Sequence, residues 1–578
     1  MHPQNQSIAD AFVRIADLLE LQRADPVRIR AYRKASTALG ALHQSVRAMR
    51  YHGEDLRSVP GIGEGLAGTV AELAERGSCA LLERLDQEVP HDLSALLDLS
   101  HLGPQRVRTL HEELGVQTIE QLHAAARAGR LQALAGFGPR LEHQILKATT
   151  EALSRERRFR VDVAHAAAER LMAWLREQPG VGRVATAGSL RRGRESVARV
   201  SLIVESMRDR EIVAAFATHP EVRQVPFSGR ARIDTVIEGG LKVTVQVAEP
   251  DQFGAAWLEA TGSRQHMHAL SRVAARHRMS LDENGLAQSG RLVAATEESA
   301  IYEAVGLPFI PPELREDRGE IDAAEAGTLP TLLDPAAIQG DCKVQARDPK
   351  GRDVSLESLV DAARARGLRW VIVADHARRL DPARESNDLE RLAAQGREID
   401  RLNAAQPDVV LLKGIHVDIL EDGSLNVPDA VLATVEVVIG AIGPPWDLTR
   451  RRQTDRLLRA MDHPHFCILG EPTARLIEER RPVAIDLARV LRKARERGCL
   501  VELDARPSRL DLDDAGCRVA KAEGVPVCIA SAGHDAASMA ALAFGVHQAR
   551  RGWLADADVL NTRSLDDVRA LMARGMSR

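Results

Sequence analysis

At 578 residues the chain is too long for a single core, and a scale of about 150 residues per domain predicts some four. Hydrophobic content of 44% with 28% charged residues is that of a folded globular protein and excludes a disordered one. A net charge of −4 excludes a uniformly basic coat, so any nucleic-acid contact has to be local.

The six cysteines (Cys79, Cys342, Cys467, Cys499, Cys517 and Cys528) contain no C-x-x-C pair, which argues against a disulfide framework and a structural zinc. The opening segment MHPQNQSIADAF has no basic-then-apolar signal, and no apolar run reaches the ~20 residues of a membrane span. A cytoplasmic, reducing-compartment protein with no membrane partner is therefore expected. Only eight lysines stand among the many arginines, a bias that reads as a GC-rich genome.

Residues 1 to about 150 are helix after helix, with apolar residues at helical spacing in IADAFVRIADLLEL and AGTVAELAERG. Near the start lies DPVRIRAYRKA (25–35), where Arg28, Arg30, Arg33 and Lys34 surround Tyr32. Basic groups beside an aromatic suit phosphate contact with base or sugar stacking, the alternative being a solvated helix face. Residues 1–50 hold eight basic against four acidic side chains, so the bias is local.

Glycine-centred breaks interrupt the helices at VPGIGEG (59–65), LSHLGPQ (99–105) and LAGFGPR (134–140). Gly61 and Gly63, Gly103, and Gly136 and Gly138 let the chain turn tightly and approach a phosphate. The N–H groups opening the next helix then supply an anion site. Such helix-hairpin-helix turns grip a DNA backbone without reading its sequence; one used only for packing would look the same. The middle copy carries His101 where the others have glycine, and is the least regular.

From Val184 the texture changes to short strand-like runs, VATAGSL, VSLIVES and KVTVQVA, mixed with helices. A Pro- and acid-rich stretch, 306–330, reads as a boundary. Beyond it WVIVAD, VVLLKGIHVDIL, VEVVIGAIG, CLVELDA and VPVCIA alternate with amphipathic helices, which predicts a β/α barrel or a doubly wound sheet.

Taken in order, AYRKA, VPGIGEGLA, AGSLRRGRESV (187–197), TGSRQH (261–266) and IYEAVGLPFIPPELRED (301–317) resemble the bacterial family X DNA polymerases that carry a C-terminal PHP domain. IQGD (338–341), VADH (373–376), KGIHVDILEDGSL (413–425), GEPTARL (470–476) and SAGH (531–534) extend the resemblance over nearly the whole chain. It implies a multidomain fold: an all-α helix-hairpin-helix N-terminal region, an α+β nucleotidyltransferase palm and thumb, and a PHP-type (β/α) barrel. The expected bounds are 1–78 for a lyase-like helical domain, 79–154 for a fingers-like region and 155–317 for palm and thumb. A linker over 318–334 and the barrel over 335–578 complete them. The family fills short DNA gaps in repair with two Mg or Mn ions, and its PHP domain holds metals for processing DNA ends.

Against that pattern the chain departs at each chemistry. The palm carboxylates would fall at Arg199, Ser201 and Thr244, none of them acidic, and an arginine there repels a cation. The nucleotide loop keeps Gly188, Ser189 and Arg192, whereas Glu259 and Ala260 replace an aromatic pair before TGS. The Schiff-base lysine of the lyase reaction would fall at Thr69, which carries no amine, and Gly65 takes the place of a second family lysine. In the barrel the stretch matching the opening His-x-His reads Asp341-Cys342-Lys343-Val344-Gln345, without either histidine, and further ligand positions read Lys350, His416, Gly443, Glu471 and Ala532. His376 and His534 survive. With His416 and Glu471 they would make one remodelled Zn or Mn site, if lysines at 343 and 350 did not line the same mouth.

The expected function is thus a DNA-binding protein of polymerase X ancestry that recognises gapped or branched duplex, inactive as polymerase, lyase and nuclease, with the barrel offered to a protein partner. The alternatives are an active DNA polymerase X/3′-5′ exonuclease of base excision repair, a hydrolase using the remodelled mouth, and a scaffold that no longer binds DNA.

Overall fold

A computed structural model of the chain describes residues 3–42, 46, 49, 55–76, 79–88, 93, 96–155, 158–347, 352–377, 385–405, 408–444, 446 and 448–576. They form two units, Met1–Arg157 and Arg158–Arg578. The first holds both helical regions expected from the sequence; the second holds palm, thumb and barrel together.

In the first unit the helices Pro3–Leu21 and Pro26–Ala41 pack around Phe12, Ile15, Leu18, Tyr32 and Leu39. The second starts where the sequence marks it: Asp25 accepts a hydrogen bond from the Val27 N–H at 2.8 Å and proline opens the first turn. Helices Glu64–Arg76, Pro104–Leu114, Ile119–Arg127 and Pro139–Arg155 follow, the last three sharing a second core around Leu110, Leu122, Leu131, Phe137 and Ile145.

The second unit opens with the short pair β1 (Phe159–Arg160) and β3 (Ser196–Val197) and a five-stranded sheet. Its strands β2 (Val184–Ala187), β4 (Arg199–Glu205), β5 (Val222–Ser228), β6 (Arg232–Ile237) and β7 (Lys242–Ala248) lie in the order β2-β4-β7-β6-β5, with only β4 and β7 parallel. One face packs on the helices Val161–Arg176 and Asp209–Ala217. Beyond it, helices Phe253–Thr261 and Arg264–Arg276 and the small sheet β8 (Met279–Asp282), β9 (Gly285–Gln288), β10 (Arg291–Ala294) form the thumb. Two buried polar groups tie it: His266 between Glu320 (2.7 Å) and Tyr302 (2.9 Å), and Arg315 on Glu298.

Seven parallel strands build the remainder: β11 (Gly340–Val344), β12 (Trp370–Ala377), β13 (Val410–Ile419), β14 (Val437–Ile442), β15 (Ile468–Gly470), β16 (Leu500–Asp504) and β17 (Val527–Ala530). The circle closes just past β17, where the Ala532 N–H donates to the Lys343 carbonyl (2.9 Å) and the Gln345 N–H to the Gly533 carbonyl (2.8 Å). Strand alternation sorts the side chains: Trp370, Ile372 and Ala374 fill the barrel with Cys342, Leu412 and Cys528, while Val371 and Val373 face the helical layer. Of the two sequence readings, barrel or open sheet, the barrel is realised. All six cysteines are buried free thiols, and among the described residues no helix is long and apolar enough to cross a membrane.

The stretch read as a linker, 318–334, is ordered. It contains the helix Glu320–Glu325 with Glu320 and Ile321 buried, and Leu333 hydrogen-bonds Leu554 of the barrel. Palm and thumb are joined to the barrel by Arg475 on Glu195 (2.6 Å), Arg550 on Glu313 (2.7 Å), and buried Arg551 on Glu316 (3.0 Å) and on the Arg192 carbonyl (2.8 Å).

Candidate functional site

The three glycine breaks fold into one repeated turn. Short 3-10 turns at Leu56–Ser58, Leu96–Asp98 and Arg130–Ala133 each lead to a left-handed residue and then a helix start. The left-handed residues are Gly61 (φ 94°), His101 (φ 71°) and Gly136 (φ 84°). The second hairpin thus keeps the shape of the others although a histidine must adopt the conformation that glycine takes freely. Leu56, Leu96 and Leu131 anchor the three copies in the cores, while Gly61, Gly63, Gly103, Gly136 and Gly138 stay exposed. Exposure of the glycine backbones leaves the helix-opening N–H groups facing solvent, the arrangement a phosphate requires.

The basic arm divides. Arg28, Arg30 and Lys34 are exposed, and the Lys34 stem lies against Gly61, so a cation from the arm flanks the first hairpin. Tyr32 corrects the sequence reading: its ring is buried beside Phe12, centroids 5.4 Å apart, and is not presented for stacking. The reason is helical periodicity, since Tyr32 shares the inward face with Ala35 and Leu39. Arg33 is exposed but its charge is answered by Asp17 (2.8 Å) and Glu20 (2.7 Å) of the first helix. Thr69 lies half-buried in the helix after the first hairpin.

On the palm sheet, pairing sets Ala187, Ser201, Thr244, Asp234 and Phe227 in one row across β2, β4, β7, β6 and β5. Asp234, which sequence reading passed over, is the one carboxylate of that row. Thr244 donates to it at 2.6 Å and accepts from Arg199 at 3.2 Å. Arg199 stands 3.8 Å and Arg232 3.2 Å from the same carboxylate. A pair of divalent ions needs several converging carboxylates; one already neutralised by two guanidiniums does not fit them. Gly188 has a left-handed φ of 63°, and a Cβ there would stand 3.2 Å from the Ser201 hydroxyl, so glycine suits the turn from β2 into the short helix Gly188–Arg191. Ser189 is half-buried. Arg192 is held by Glu316 (3.0 Å) and the Thr261 carbonyl (2.6 Å), and Arg191 by Glu298 (2.7 Å), stacked over Trp257. Glu259, on the helix Phe253–Thr261, is exposed.

At the barrel mouth, Lys343 is fully buried with its Nζ 2.5 Å from Glu502, 3.9 Å from Glu471 and 4.0 Å from Asp504. Arg506 bonds Asp504 and reaches Glu471 at 2.7 Å; Arg509 takes the other Glu471 oxygen, also at 2.7 Å. Burial pushes the Glu471 carboxyl up, but the Lys343, Arg506 and Arg509 charges outweigh it and hold it at about 2. His416 is buried with neither ring nitrogen bonded, its ring 4.5 Å from that of His376. Burial, then the Lys343, His376 and Arg506 charges, drive its imidazole neutral. His376 pairs with Asp418 at 2.9 Å, and His534 stands 3.7 Å from Asp535. Burial raises Asp341 to about 6 although the Ser531 N–H bonds it.

The quartet His376, His416, Glu471 and His534 is therefore not assembled as a ligand set. Glu471 faces three cations, and among the described residues no three His, Cys, Asp or Glu side chains converge on a point that could hold a metal. The family's divalent ions do not fit these residues. Lys350, expected at the same mouth, lies outside the described residues.

Comparison with known proteins agrees with this architecture. Residues 3–79 match the helix-hairpin-helix domain family, 93–151 the SAM-like helix-hairpin-helix tandem, and 256–316 the DNA polymerase beta thumb. A stretch of 155 residues, 26% of the chain, is 24% identical to the "Probable phosphatase" of Caldicellulosiruptor saccharolyticus over 59% of that protein. The DNA polymerase/3′-5′ exonuclease PolX of Bacillus subtilis is 32% identical over 564 residues, 97% of this chain and 98% of its own length. At that identity over nearly the whole of both chains, and with the helix-hairpin-helix and thumb matches, the chain belongs to the PolX family, the bacterial family X DNA polymerases with a C-terminal PHP-type domain.

Proposed function

We propose that this PolX-family chain binds gapped or branched DNA without polymerising, cleaving or trimming it. The observation that carries the reading is the palm row, where Arg199 and Arg232 crowd the single carboxylate Asp234 and leave no seat for paired magnesium. DNA binding is supported by the three alike hairpins and by exposed Arg28, Arg30 and Lys34 beside the first of them. The contacts assigned to the hairpins run through Gly61, Gly63, Gly103, Gly136 and Gly138, and fall on phosphates, not bases. A triphosphate loop would run through Gly188, Ser189 and Arg192, but Arg192 already holds Glu316.

The phosphatase-like and exonuclease readings draw on the printed names of two relatives. They are disfavoured by a mouth filled with Lys343, Arg506 and Arg509. The tests are direct. Anisotropy on a one-nucleotide-gapped duplex is expected to show preference over the intact duplex, weakening steeply with salt. Strand extension and 3′-end release are expected to stay at background in Mg(II) or Mn(II). Extension that co-purifies with the chain and is lost in a Ser189→Ala, Arg192→Ala variant would overturn the reading.

A further inference from the structure

We infer that the barrel mouth is built around an internal ammonium ion: Lys343 on β11, with Arg506 and Arg509, occupies the carboxylate cage of Glu471, Glu502 and Asp504, so that the barrel is complete without metal. This stands apart from whether the helical unit binds DNA.

Lys343 is 0% exposed, and a buried ammonium persists only with close, opposite charge. It has three carboxylates within 4.0 Å, from the ends of two different strands, β15 and β16. Those carboxylates need more than one cation, and the chain just after β16 returns two: Arg506, which bonds Asp504 and Glu471, and Arg509, which bonds Glu471. Three cations thus meet three anions. Cation and cage are interdependent, because β15 is short and Glu471 sits past its end at a left-handed φ of 41°, with its own N–H donating to Glu502 at 3.0 Å. That backbone places the Glu471 carboxylate toward Lys343, not toward solvent.

The neighbouring rings complete the picture. His416 is buried and unpartnered, and its closest ring neighbour is His376, turned to Asp418. A divalent ion brought to these imidazoles would meet the Lys343 ammonium and two guanidiniums at close range, with the carboxylates that would offset its charge already engaged. The cage extends to the palm: Thr473 bonds Asp511, and two residues on, Arg475 bonds Glu195.

Elemental analysis of the full chain, purified without chelator, is the first test. Zinc, manganese and iron are expected below roughly 0.1 per chain, and neither EDTA nor millimolar Mn(II) should move its Tm. In Lys343→Ala the cage loses its cation. Its Tm is expected to fall by several degrees, and Mn(II) is not expected to restore it, because Arg506 and Arg509 still hold Glu471 and Asp504. About one metal per wild-type chain, a wild-type Tm raised by Mn(II) or Zn(II), or an unchanged Tm in Lys343→Ala would overturn the inference. The wild-type measurements decide even where Lys343→Ala does not fold.

Discussion

At the second hairpin a histidine stands where the first and third have glycine, and the turn is the same: φ is 71° at His101 against 94° and 84° at Gly61 and Gly136. At the barrel mouth the buried charge on β11 is a lysine, and the side chains around it are arranged to answer it. Glu471 turns to three cations and His416 is left without a partner. The hairpin works through backbone N–H groups, which a side chain leaves in place so long as φ can be reached. The mouth is held by side chains, and an ammonium at its centre fixes which charges the enclosed site can hold. The palm lies between these cases. Its substituted Arg199 is exposed, so water shares the cost of its charge and no compensating cage has formed.

The contrast can be broken most forcefully at Lys343. Lys343→Met leaves Glu502 buried beside a neutral side chain and is expected to cost ~3–5 kcal/mol of barrel stability in urea unfolding. Arg199→Ala, on the open palm, is expected within ~0.5 kcal/mol of wild type. Equal losses at the two sites would refute the distinction drawn between enclosed and open charge.

Acid titration sharpens it further. The Glu471 carboxyl sits at about 2 in the folded chain against an ordinary 4.5, so its contribution is whole above pH 4.5 and disappears as pH falls toward 2. Unfolding measured across that window should show a weaker pH dependence in Glu471→Gln than in wild type. Asp511 works in the other direction. Burial raises it to about 7 against the Thr473 hydrogen bond and the Arg475 charge, so stability from its protonated form is lost as pH rises from 3.8 through 7.

At the hairpins the effects are smaller and fall on binding. Lys34→Ala is expected to weaken binding to gapped and intact duplex alike and to lower the slope of log K against log salt by about 1. An unchanged slope would remove Lys34 from the interface. His101→Gly relieves a left-handed histidine and is expected to change stability by no more than ~1 kcal/mol, with DNA affinity unaltered. A large loss of affinity there would show that the second hairpin acts through its side chain after all.

The elements that sequence reading located are those written in local pattern. The hairpins follow from glycine spacing, the Pro26 helix from its Asp25 cap, and the barrel strands from apolar runs between amphipathic helices. Tyr32 went wrong for a local reason too: the basic residues around it drew attention from the inward face it shares with Ala35 and Leu39. The stretch 318–334 looked like a linker because its acids and prolines resemble exposed chain, yet Glu320 is buried against His266, whose donor no local pattern announces.

What the sequence by itself determined is the ancestry, the order of the domains, the shape of the hairpins, and the absence of carboxylates at positions 199, 201 and 244. Those depend on neighbours a few residues apart, or on which residue types are present at all. Only the tertiary structure decided which charges meet at the barrel mouth and on the palm. Lys343, Glu471, Glu502, Asp504, Arg506 and Arg509 come from three strand ends up to 166 positions apart, and Asp234 meets Arg199 only because β7 lies between β4 and β6. Charge balance in an enclosed space belongs to whichever groups the fold brings together, and the barrel's closure brought these six to one place.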